Sequence, residues 1–225
     1  LNGLVLISVV LDFMTLHADP GNELPFILFL PTYTATAWYH HKLQGELQQD
    51  LTAAVEKARQ FAMGEYAMAL MKGAALSGEE RAQTVARLAA FTGLTPDYID
   101  RTNLRIYDHR FTKELLRSER QTVGRIDSRF KGVDRDSAGE FYEFDPSMAN
   151  IMGPYTAVFY DYIRSELNYV SDLPYEVLNG RVWPWRYDDH ENRYLNVAET
   201  LRKAMTVNPY LKVYVANGYF DLATP

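Results

Sequence analysis

The residues able to do chemistry are few, and the clearest of them stands near the carboxyl end. In LKVYVANGYFDLATP (211–225), Leu211, Val213 and Val215 alternate with Lys212 and Tyr214 before Ala216, Asn217 and Gly218. That pattern reads as a strand halted at a glycine. Asp221 follows in a short loop. In open α/β sheets functional groups collect just beyond the carboxyl ends of parallel strands, so Asp221 is a candidate catalytic acid. An aspartate after a glycine is also ordinary turn chemistry. Serine catalysis at a strand-to-helix elbow requires Gly-x-Ser-x-Gly, because the sharp turn leaves no room for flanking side chains. None of Ser8, Ser77, Ser118, Ser128, Ser137, Ser147, Ser165 or Ser171 carries glycine on both sides at that spacing. His17, His40, His41, His109 and His190 all precede Asp221, whereas the elbow-type triad runs Ser, Asp, His along the chain. A triad using Asp221 therefore needs its serine and histidine from outside these residues.

No metal centre is expected. Asp188, Asp189, His190 and Glu191 are consecutive, and consecutive loop side chains diverge. His40 and His41 are adjacent on a helical stretch and do not share a face. With no cysteine, disulfides, thiol catalysis and thiolate metal sites are absent together. The formal charge of -6 argues against nucleic acid as the main partner. Between Arg101 and Arg135 there are ten Lys or Arg against five Asp or Glu, with only Tyr107, Phe111 and Phe130 as aromatic platforms. Ion-paired arginines account for such a segment better than a base-stacking surface does. No apolar run reaches the roughly 18 to 20 residues that span a bilayer.

The elements that must position Asp221 are mostly helical. LNGLVLISVVLDF opens the chain as a strand expected to be buried on both faces. A turn-rich stretch, 17–23, leads to an apolar run at 24–30 interrupted by Pro25, and Pro31 is expected to start a helix. Leu51, Val55, Ala58, Ala62, Tyr66 and Leu70 recur at three and four, predicting one long helix from Leu47 to near Gly73 that tolerates Gly64. Ser77 with Glu80 is a capping-box signature, Gly93 stops that helix, and Thr95-Pro96 starts another. Pro154 is expected at the first turn of an amphipathic helix carrying Tyr155, Val158, Phe159, Tyr162, Ile163 and Leu167. Residues 172–193 read as irregular and aromatic. Asn196 and Glu199 are expected to cap a last helix, ended by Asn208-Pro209. A strand at each edge, without polar tails, gives the expectation of a piece cut from a longer chain.

Four separated stretches carry a family resemblance in the right order: 31–43 (PTYTATAWYHHKL), 123–132 (VGRIDSRFKG), 144–167 (FDPSMANIMGPYTAVFYDYIRSEL) and 208–225 (NPYLKVYVANGYFDLATP). They resemble the serine carboxypeptidases in their bacterial branch. The resemblance implies an α/β fold, specifically an α/β-hydrolase fragment in which two core strands flank a mainly helical cap. Residues 1–16 would hold the strand after the absent nucleophile elbow, 17–207 the cap, and 208–225 the strand and acid loop. Gly218, Tyr219, Phe220 and Asp221 match the family's Gly-Asp-x-Asp-like turn, with Tyr219 in place of the first acid. Asp221 is thus the implied triad acid, and Trp38 and Tyr39 are candidates either for lining the substrate pocket or for packing cap against sheet.

The implied activity is removal of C-terminal residues from peptides, without a cofactor, nucleic acid or membrane partner, by a periplasmic or secreted enzyme. The serine elbow, oxyanion-hole glycines and carboxylate-recognising Asn and Glu residues would lie before Leu1, and the histidine after Pro225, leaving this fragment inactive alone. Its unpaired strand edges would favour homo-oligomers. The competing expectation is a self-contained, monomeric helical binding module derived from the cap.

Overall fold

A computed structural model describes residues 2–225, which form a mainly helical structure with two small sheets. The first strand, β1 (Gly3–Ile7), is shorter than the apolar run because Ser8 adopts a positive φ of 49° and leaves the extended region. The expected break at Pro31 does not occur. One helix, α1 (Leu24–Tyr39), takes in both the apolar run and the segment after it. Pro25 occupies its first turn, where a missing N–H costs nothing. Pro31 removes a donor inside the helix, yet α1 is apolar nearly all round and buries ten of its sixteen residues. Burial of this kind, rather than local propensity, decides whether such a helix forms.

The long periodic segment begins later than expected, at α2 (Leu51–Phe61), where the Asp50 side chain accepts from the Ala53 amide at 3.0 Å. It continues through a π-helical turn, Ala62–Tyr66, into α3 (Ala67–Lys72) and halts at Gly73. Gly64 lies within that turn. The extra residue of a π-turn offsets the faces on either side of it, and Tyr66 ends fully buried with its hydroxyl donating to the Leu104 carbonyl at 2.6 Å. Burial pushes its phenol well above the ordinary range.

Helix α4 (Gly78–Thr92) starts at the Ser77–Glu80 capping box, with both reciprocal bonds formed, and stops at left-handed Gly93. Lys72 and the Ser77 cap together hold the Glu80 carboxyl down at about 2. Helix α5 (Pro96–Arg101) is capped by Thr95, and α6 (Asp108–Glu114) follows. These helices enclose α1 in one core, which also includes Leu222 from the far end of the chain. Most cations of 101–135 are ion-paired, among them Arg105 with Glu23, Arg110 with Glu140, Arg117 with Glu114, Arg125 with Asp108 and Arg129 with Asp127. Lys113 and Asp134 form a buried pair at 2.6 Å. Burial disfavours the Asp134 charge, but Lys113 and two backbone amides hold its carboxyl below the usual range.

A two-residue antiparallel pair, β2 (Thr122–Val123) and β3 (Lys131–Gly132), closes a loop beneath α7 (Pro146–Ser165). Helix α7 begins eight residues before Pro154, since Asp145 with Pro146 supplies an N-cap and a first-turn proline. Its apolar side, Tyr155, Val158 and Tyr162, is exposed. Residues 172–193 contain only two short 3-10 turns. At α8 (Ala198–Val207) the expected Asn196–Glu199 cap is only half present. Asn196 accepts from Ala198 at 2.9 Å, whereas Glu199 pairs with Arg202 at 2.7 Å.

The chain closes with β4 (Lys212–Ala216), parallel to β1 in the register Gly3↔Lys212 to Ile7↔Ala216. Neither strand is buried as expected: Val5 is 67% exposed, Ile7 72%, Tyr214 63% and Val215 50%. Parallel strands are ordinarily covered on both faces; here Leu4, Leu6, Val213 and Ala216 are only half-buried and the rest stand exposed. Replacing Tyr66 by Phe strands the Leu104 carbonyl in the core and is expected to cost about 1–3 kcal/mol, measured as a lowered denaturation midpoint with an unchanged denaturant slope.

Candidate active site

Asp221 lies five residues beyond the carboxyl end of β4, in a loop closed by its own amide donating to the Gly218 carbonyl at 3.2 Å. It is 8% exposed. One carboxylate oxygen accepts from the Ala223 and Thr224 amides at 2.8 and 2.9 Å. The other accepts from the Thr224 hydroxyl at 2.8 Å. An ionised carboxylate has about four acceptor positions, so three are filled and the second position on Oδ2 has no donor among the described residues. A carboxylate fixed in this way serves equally to close a turn and to orient an imidazole.

What holds the loop is the turn at 124–130, a segment that motif reading did not single out for chemistry. The fully buried Ser128 is its centre. Its amide donates to the Phe220 carbonyl at 2.8 Å, its hydroxyl shares a hydrogen with Thr36 at 2.6 Å, and its carbonyl meets His40 Nε2 at 2.7 Å. One residue past Asp221, the Leu222 amide donates to the Arg125 carbonyl at 2.8 Å. The Phe220 ring is covered by Tyr39 edge-on at 5.6 Å and by the Arg129 guanidinium at 5.1 Å. Arg129 is itself fixed by Asp127 at 2.6 Å, which holds the Asp127 carboxyl below its usual value.

The start of α7 clamps the same turn from its other side. Asp145 accepts from the Arg125 amide with both oxygens at 3.2 Å, and the Ser147 hydroxyl accepts from Ile126 at 3.2 Å. Gly124 is the point of closest approach: a Cβ there would lie 2.5 Å from the Asp127 carbonyl and 2.7 Å from Ser147 Cβ. Residues from all four stretches quoted above therefore meet at this junction.

Trp38 and Tyr39 part company. Trp38 packs against the helical core with its indole N–H buried and without a partner, while Tyr39, 43% exposed, borders the Asp221 loop. Asp188 to His190 form a 3-10 turn in which Asp188 pairs with Arg186, and among the described residues no three His, Cys, Asp or Glu gather as metal ligands. No helix of the described residues is long and apolar enough to cross a membrane. Set beside protein-family models, curated proteins and solved structures, the chain matches none of them. The junction must be read from its own chemistry.

His40 is the histidine of that junction. Burial lowers its pKa, Lys131 and Lys42 act in the same direction, and the Ser128 carbonyl and Glu119 oppose them. An unfolded histidine titrates near 6.5, so between the depressed folded value and that pH the unfolded chain binds more protons. Stability is therefore lost on acidification through this window and regained as the pH rises. Chemical denaturation between about pH 5 and 7 is expected to show that rise in the wild type. His40→Gln, which keeps a donor toward Ser128, should flatten it. Gly124→Ala is expected to cost about 1–3 kcal/mol by overpacking, read as a lower melting temperature.

Proposed function

We propose that the chain is the cap-bearing and acid-bearing part of an α/β-hydrolase of the serine carboxypeptidase type, in which Asp221 is the triad acid. The observation that carries this reading is the pairing of two parallel strands from opposite ends of the sequence, with Asp221 just past the carboxyl end of one of them. The residues between the strands are mainly helical, as a cap inserted into a sheet would be. Exposed valine, isoleucine and tyrosine on both strands favour a larger sheet over a self-contained binding module, which would cover its own apolar faces.

In this reading the spare acceptor position of Asp221 takes the imidazole N–H of a histidine outside the 225 residues. The carboxylate then fixes the tautomer and stabilises the imidazolium formed as a serine attacks the last peptide bond. The imidazolium next protonates the departing amine, and water activated by the same base releases the shortened peptide from the acyl-enzyme. The three bonds from Ala223 and Thr224 keep the carboxylate from turning away during that cycle. The helical layer, fastened to the acid loop through Ser128, would restrict access to a chain end.

The test uses a fluorophosphonate serine probe and a blocked dipeptide. The 225-residue chain is expected to show neither labelling nor hydrolysis, and a longer chain supplying serine and histidine to show both. In that longer chain Asp221→Asn should lower kcat by about 10⁴-fold. Labelling of the 225-residue chain, or full activity of the Asp221→Asn protein, overturns the reading.

A further inference from the structure

The outward side of the segment from α2 to α3 carries sulfur. Met63, Met68 and Met71 are three of the chain's seven methionines, they fall within nine residues, and each is more than half exposed. Spacing alone would scatter them: at 3.6 residues per turn, five residues of α-helix rotate a side chain by about 140°, which would put Met63 and Met68 on different sides. The π-turn Ala62–Tyr66 removes that offset. The Ala67 amide reaches the Ala62 carbonyl, five residues back, so Met63 and Met68 stand one turn apart on the same side. Met71 follows Met68 by three residues within α3, the spacing at which helical side chains are neighbours, with about 5–6 Å between Cβ atoms. The buried residues of the segment, Phe61, Ala62, Tyr66, Ala69 and Leu70, take the opposite side. Turns of the π type recur at functional sites, and this one lines up three thioethers.

The row is neutral, soft and accessible. With no cysteine in the chain, no thiolate competes with these sulfurs. The cations that flank the row along the helix are engaged, Arg59 with Glu56 at 2.7 Å and Lys72 with Glu80. Gly64 adds no side chain to the turn, and a Cβ there would meet no atom, so the space beside the row is open. Thioethers are uncharged soft donors that suit Cu(I), whereas Ca(II) and Mg(II) require oxygen ligands and Zn(II) takes thiolate, imidazole or carboxylate. An exposed methionine has three rotatable bonds with which to bring its sulfur onto a shared ion.

We propose that Met63, Met68 and Met71 form a surface site for a soft monovalent cation, Cu(I), held by three thioether sulfurs. Each sulfur donates a lone pair to the ion, and no proton or electron changes hands. The site lies on the helical layer and does not depend on the role given to Asp221.

The test is titration of the 225-residue chain, isotope-labelled at its methionine methyl groups, with Cu(I) kept reduced by ascorbate under argon, and in parallel with Ag(I), Zn(II) and Ca(II). A single equivalent of Cu(I) or Ag(I) is expected to move the methyl resonances of Met63, Met68 and Met71 together and to leave Met14, Met148, Met152 and Met205 in place. Zn(II) and Ca(II) are expected to move none of them. Met68→Leu conserves side-chain volume at an exposed helical position, so the fold should persist. It should weaken Cu(I) by at least the about tenfold that loss of even an outer-shell partner costs a metal site. Leucine at all three positions should abolish the response while the helical circular dichroism stays that of the wild type. Shifts centred on the other methionines, equal binding of Zn(II), or unchanged Cu(I) affinity in the triple variant overturns the proposal.

Discussion

Ser128 makes three hydrogen bonds through its amide, hydroxyl and carbonyl, one to Phe220 beside Asp221 and two to α1, at Thr36 within the helix and at His40, its C-cap. A fully buried serine in that position leaves no polar group of its own unsatisfied, which is the condition under which a buried polar junction specifies one geometry. The acid loop is held besides by the Leu222 amide on the Arg125 carbonyl and by Tyr39 and Arg129 against Phe220. It follows an exposed strand, and of its residues only Asp221 and Leu222 are buried. The Ser128 turn, the buried Leu222 and the Tyr39 contact to Phe220 together fix the position of Asp221 relative to the helical layer.

The turn is in its turn fixed by α7. Asp145 caps that helix and accepts from Arg125 with the same carboxylate, so one side chain starts a helix and anchors a loop. Gly124 permits the close approach that this arrangement needs. Helix α1, the Ser128 turn and α7 thereby form a continuous mechanical support from the buried core to the carboxylate. Rigid support of that sort is what a group needs when it must hold a partner in one tautomer.

Apolar surface is distributed unevenly over the molecule. The core around α1 is densely buried, whereas β1, β4 and the outer side of α7 expose valine, isoleucine and tyrosine. A two-stranded sheet is at best marginal on its own in water. Here the ladder joins strands from opposite ends of the sequence, while the faces that would normally fix its register are largely exposed. Of the two strands, β4 runs directly into the loop bearing Asp221, so the exposed edge of the sheet and the buried acid lie within five residues of each other.

The sequence by itself determined the features that rest on local rules: the strand before Gly218, the capping box at Ser77, the stop at Gly93, and the apolar periodicity from Leu51 to Leu70. Side chains within a few residues of one another decide these, so they are legible in order along the chain. The continuous α1 through Pro31, the π-turn at Gly64 and the start of α7 at Pro146 were decided by burial or by a competing cap, which outweighed the proline and glycine signals. Asp221 was legible as a residue, since its place after a strand and a glycine is a local pattern. Its surroundings were not. Thr36, Ser128 and Phe220 lie far apart in sequence and carry no joint periodicity, and only the packed chain brings a hydroxyl, an amide and a carbonyl to one point.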